Sequence, residues 1–104
     1  MKKYIKSSSG SMDDIIQLAD DVEALLNENR ISHVELYNYK RYEPIPEIAV
    51  ISFLIEGDWK HDHIRADWLV KDNFSVVKNE SYATEDTGSD WGPEVHTYYI
   101  YMNH

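Results

Sequence analysis

The run Ile48-Ala49-Val50-Ile51-Ser52-Phe53-Leu54-Ile55 is apolar at both odd and even positions and is bounded by Pro46 and Gly57. Successive side chains of a strand point to opposite faces, so a strand apolar on both is the central strand of a sheet, with a neighbour on each side. The rest of the chain must therefore supply those neighbours and a covering layer. A length of 104 residues allows one domain, 1–104, with a single core of two packed layers. There is no cysteine, which excludes a disulfide framework, a thiolate metal site and a cysteine nucleophile. The fold has to hold by packing alone.

Residues 12–28 supply a cover. Ile15, Leu18, Ala19, Val22, Leu25 and Leu26 form a stripe with a period near 3.6 residues, and Asp20, Asp21, Glu23 and Glu28 lie mostly off it. Ser11 reads as the N-cap, with Asp14 in the capping-box position and Asp13 and Asp14 favoured by the helix dipole. Asn27 and Asn29 are expected to stop the helix. Residues 31–42 are rich in β-branched and aromatic side chains and read as a strand, with Val34 and Leu36 on one face and His33, Tyr37 and Tyr39 on the other. The short connection through Pro44 and Pro46 makes this strand and the central one an antiparallel pair.

Residues 58–73 admit two readings. Ile64, Ala66, Trp68 and Val70 alternate with Arg65, Asp67 and Lys71, as in a strand. Asp58 or Asp62 as a cap, and Lys71-Asp72-Asn73 as a stop with a left-handed Asn, point to a helix. The helix is preferred, with Trp59, His63, Ala66, Leu69, Val70 and Phe74 on one face and Ile64 and Trp68 left on the other. Strands are expected over 74–82 and 95–102, joined by an acidic loop with the turn signal Thr87-Gly88-Ser89-Asp90. The expected fold is α+β, a two-layer sandwich. A four-stranded, mostly antiparallel sheet carries two helices on one face in the order α-β-β-α-β-β, and residues 1–11 form a basic flexible or edge-strand arm.

Chemistry concentrates in Gly57-Asp58-Trp59-Lys60-His61-Asp62-His63, continuing to Trp68, and in Ser89-Asp90-Trp91-Gly92-Pro93-Glu94-Val95-His96. These stretches hold all three tryptophans and three of the five histidines. They are expected to meet at one end of the sheet, with Trp59, His63, Asp67, Trp68, Asp90, Trp91 and His96 as candidate binding residues. His61, His63, Asp67, Asp90 and His96 offer the nitrogen and oxygen donors of a zinc or manganese shell. Their spacing is not that of His-Glu-x-x-His, and such histidines more commonly bond an aspartate or a turn amide. No Gly-x-Ser-x-Gly elbow and no glycine-rich phosphate loop occurs, so no residue is assigned as catalytic and no cofactor is expected.

The net charge of −9 is unevenly spread, with +3 over residues 1–11 and −6 from there through Glu28. Such a surface repels phosphate backbones, so direct nucleic-acid binding is disfavoured and a basic protein surface is the expected partner. The acidic helix face could imitate a nucleic acid and inhibit a host enzyme, and the tyrosines could anchor that contact or a homodimer. A metal-dependent hydrolase built on His61, His63, Asp67, Asp90 and His96 is the alternative. No run approaches the roughly 20 apolar residues of a membrane span, and Ser7-Ser8-Ser9-Gly10-Ser11 stands where a signal peptide would have its apolar region, so a cytoplasmic location is expected. Abundant Ile, Tyr, Asn and Lys with scarce Arg fit an AT-rich coding sequence. Residues 57–63 with Ser89-Asp90-Trp91 and His96-Thr97 resemble a pattern in small uncharacterised proteins of Gram-positive phages and integrative elements. The resemblance spans 57–97 and implies a mobile-element origin but no activity.

Overall fold

The computed structural model describes residues 12–57, 61–83 and 93–102. The elements run α1 (Met12–Glu28), β1 (Val34–Arg41), β2 (Ile48–Ile55), α2 (Asp62–Asn73), β3 (Val76–Ala83) and β4 (Glu94–Tyr101), in the expected order. The sheet order is β1-β2-β4-β3, and every neighbouring pair is antiparallel. The apolar run is thus one of the two inner strands, and residues 58–73 resolve as a helix from Asp62 onward. Among the described residues no helix is long and apolar enough to cross a membrane.

Both helices cover the same sheet face. Ile15, Leu18, Ala19, Val22 and Leu26 of α1 and Ala66 and Val70 of α2 share one buried cluster with Ala49, Ile51, Phe53 and Ile55 of β2 and Tyr98 and Ile100 of β4. Leu25 of the expected stripe is only half-buried and packs on the rim of this cluster. The 3.6-residue repeat drifts round the helix, so Leu26 rather than Leu25 reaches the core at the last turn. On the outer face Ser52 and Thr97 share a hydroxyl hydrogen bond at 2.8 Å, and the Tyr42 and Tyr99 rings meet edge to face at 5.6 Å.

Three local features differ from the sequence expectation. A bulge between Leu36 and Asn38 adds a residue to β1, so Tyr39 pairs with Ile51 and joins Val34 and Leu36 on the helix face while Tyr37 is exposed. A matching bulge between Val76 and Lys78 leaves Val77 exposed on β3. The helix stops use side chains more than left-handed Asn. The Asn29 and Asn73 amides donate to the Leu25 and Leu69 carbonyls, both at 2.8 Å, and the positive φ of 66° after α1 belongs to Arg30. The N-cap Ser11 and the arm 1–11 lie outside the described residues.

Candidate metal centre

Period 3.6 on α2 and period 2 on β4 bring five polar side chains to one place. His63 and Asp67 are four apart and so share a face of α2, while Glu94, His96 and Tyr98 alternate along β4 toward the helices. The helix is set there by its entry. Gly57 has φ +68°, and a Cβ on it would lie 2.9 Å from the Asp62 Cβ, so the chain comes into α2 against a buried carboxylate. Asp62 accepts a hydrogen bond from Arg65 Nη1 at 2.8 Å, and Arg65 Nη2 donates to the Asn29 carbonyl at 2.6 Å, tying α2 to the end of α1.

At the centre stands His96, 1% exposed. Its Nδ1 lies 2.9 Å from Asp67 Oδ1, which also accepts from the Tyr98 hydroxyl at 2.7 Å. Burial, reinforced by the Asp67 charge, pushes the Tyr98 phenol well above its ordinary pKa, so it stays a donor. A carboxylate only accepts, so the His96 Nδ1 carries a proton toward Asp67. The His96 Nε2 shares a hydrogen bond with His63 Nδ1 at 3.1 Å and lies 3.2 Å from Glu94 Oε1. His63 Nδ1 and Glu94 Oε1 are 3.6 Å apart. The two imidazole planes differ by 10° with centroids 5.1 Å apart. With nitrogens at 3.1 Å the rings meet edge to edge, each aiming a ring nitrogen at the same space.

Three atoms able to ligate a metal thus converge, and no lysine or arginine is among the described residues lining the cleft beside them. Burial, only partly offset by the Glu94 charge, holds the His63 pKa below its ordinary range and so favours the neutral, ligating form. Donors bound tetrahedrally at about 2.0–2.2 Å from a zinc ion are separated by roughly 3.3–3.6 Å, close to the separations seen here. Among the described residues, His63, Glu94 and His96 are accordingly a group of donors that could hold a metal ion. Asp67 and Tyr98 act behind them, in the carboxylate–histidine arrangement that fixes a ligand's tautomer and raises its basicity. His63 Nε2 is buried without a hydrogen-bond partner. The centre opens onto a cleft of about 380 Å³, whose wall also includes His61, Ile64 and Ser81.

The structure brings His63, Asp67 and His96 together as expected and places His61 on the cleft wall. Asp67 bonds His96 through Oδ1 and also lines the cleft. Trp68 lies outside the cluster, exposed one turn beyond Ile64. Trp59, Asp90 and Trp91 lie outside the described residues. Glu94 and Tyr98 were missed, although Glu94-x-His96-x-Tyr98 on a strand is the period-2 signal that would have found them. Comparison with protein-family models, with curated proteins and with solved structures finds no match in any of the three.

Proposed function

We propose that the chain binds one divalent transition-metal ion through His63 Nδ1, Glu94 Oε1 and His96 Nε2. The observation that carries this reading is the approach of those three atoms at 3.1, 3.2 and 3.6 Å around a ring whose opposite nitrogen is already committed to Asp67. Imidazole and carboxylate donors suit zinc, and also manganese or iron(II). Structural zinc sites are closed by four protein ligands, whereas three ligands beside a cleft leave a position for water or substrate. Titration calorimetry of metal-stripped protein with Zn²⁺ tests the reading. One ion per chain is expected, with binding abolished in Glu94→Ala and His63→Ala and weakened about 10–100-fold in Asp67→Ala. Saturation at 100 times Kd should add about 2.7 kcal/mol of stability. Undiminished binding in both ligand variants rules the site out.

A second reading rests on α1. Asp13, Asp20 and Glu28 are exposed on a helix with no basic residue, in a chain of net charge −9. That face supports binding to a basic protein surface, including the phosphate-binding groove of a nucleic-acid enzyme. Association steered by charge must slow steeply as salt rises from low to physiological. A captured partner whose on-rate ignores salt and the triple change Asp13→Asn, Asp20→Asn, Glu28→Gln removes this reading.

A further inference from the structure

We infer that the sheet face turned away from the helices is a homodimer interface, on which a second copy of this chain sits sheet against sheet. The strand register shows what that face is made of. Three cross-strand rows run over β1, β2, β4 and β3: Lys40-Val50-Tyr99-Lys78, Asn38-Ser52-Thr97-Glu80 and Glu35-Leu54-Val95-Tyr82. Tyr39, Ile51 and Tyr98, between the first two rows, pack into the helix-side cluster, which puts the rows on the opposite face. Both helices lie on the helix side, so among the described residues no helix or strand covers these rows.

The first observation that makes the occupant a second copy is charge. The chain has a net charge of −9 and α1 carries acids without a basic residue, whereas the three rows carry Lys40 and Lys78 against Glu35 and Glu80 and are neutral. Two copies repel through their helices and meet through these rows without that repulsion, while a basic partner gains no net attraction from them. The second is surface chemistry. Val50 and Val95 form a buried apolar floor, and Tyr82 and Tyr101 stand 55% and 40% exposed beside it. Tyrosines with an apolar body and a polar tip are the usual anchors of such contacts.

The third is that the charges are arranged to match themselves. Two identical sheets stacked with their strands roughly aligned are related by a two-fold axis between them, running either along the strands or across them. An axis along the strands would set β1 against β3 of the second copy and Lys40 against its Lys78. An axis across the strands through the middle row sets Lys40 against Glu35 of the second copy and Lys78 against the ring of its Tyr82, a cation over an aromatic face. Glu80 then lies near the axis, with its carboxylate already met by Lys78 Nζ at 3.3 Å. Charge therefore selects the axis across the strands, and each of these contacts occurs twice. Four strands about 4.8 Å apart, each rising about 3.3 Å per residue, span roughly 19 by 26 Å, so two such faces remove on the order of 1,000 Å² from water. That is the low end for a specific interface, and a reversible dimer with a Kd of about 10 µM is expected.

Sedimentation equilibrium of the full chain, loaded from about 1 to 500 µM, tests the inference. A monomer–dimer equilibrium is expected. Lys40→Glu and Glu35→Lys should each weaken it about tenfold, because the two-fold axis makes every change twice, and the double variant Lys40→Glu, Glu35→Lys should restore most of the loss. Tyr82→Ala should weaken it about tenfold as well. All three positions are exposed, and an unchanged circular dichroism spectrum and melt show that each variant is folded. A chain that stays monomeric up to the highest loading overturns the inference. A dimer indifferent to Lys40→Glu, Glu35→Lys and Tyr82→Ala lies on another surface and overturns it equally. A dimer weakened by both single charge changes but not restored by the double variant overturns the axis.

Discussion

The two helices cover one sheet face by opposite means. α1 buries an unbroken apolar stripe and keeps its acids toward solvent. α2 buries Asp62 and His63 with Ala66 and Val70, and leaves Ile64 and Trp68 in water. For a helix whose only task is to close a core, that is the wrong way round, because burying a polar group costs free energy that must be recovered through a partner. The recovery here is specific: Arg65 meets Asp62, and the face of α2 carrying His63 and Asp67 meets the polar end of β4. α1 is thus the stabilising helix, and α2 is positioned by its polar contacts as much as by its core.

This contrast breaks if substitutions in the two helices behave alike. Leu26→Ala should have the largest effect, about 2–5 kcal/mol in a urea melt, since a fully buried leucine is truncated. The folded fraction should still bind one zinc ion. Tyr98→Phe comes next. Losing a hydrogen bond to the Asp67 carboxylate should cost about 1.5–3 kcal/mol.

The pH dependence of the metal-free protein is the third prediction. His63 has its pKa lowered by burial, so its share of the stability is complete above the ordinary imidazole value of about 6.5. As pH falls below that value the unfolded chain takes up a proton first, and stability declines by no more than about 1.4 kcal/mol per pH unit from this group. His63→Gln should flatten that limb. Tyr98 has the opposite sign: its pKa is raised, so its share is present below pH about 10 and lost above it, a limb that Tyr98→Phe should abolish. The smallest effect belongs to Trp68→Ala, expected within about 0.5 kcal/mol of wild type because the side chain is mostly in water. A cost above 2 kcal/mol there would mean that the side chain serves the core.

The element order and antiparallel pairing were legible because hydrophobic period is a strong signal where one face is buried. The bulges at Leu36/Asn38 and Val76/Lys78 were not, because a single inserted residue shifts a face without changing composition. In the candidate site, His63 and His96 were legible as rare residues next to turns. Glu94 was not, since an acidic chain offers many carboxylates and only the strand register selects one. Asp67 was identified as part of the cluster, but its bond to His96 was not legible, because it depends on which atoms meet.

The interruptions in β1 and β3 have a consequence for how copies of this protein meet. Among the described residues these are the two outermost strands, and each carries one bulge. A regular outer strand presents a row of unpaired amides and carbonyls on which a second chain can continue the ladder. An added residue kinks that row and throws it out of step. Among the described residues both outer strands are interrupted in this way, and the β3 kink also carries the exposed charge of Lys78, so growth into a continuous ribbon of molecules is discouraged.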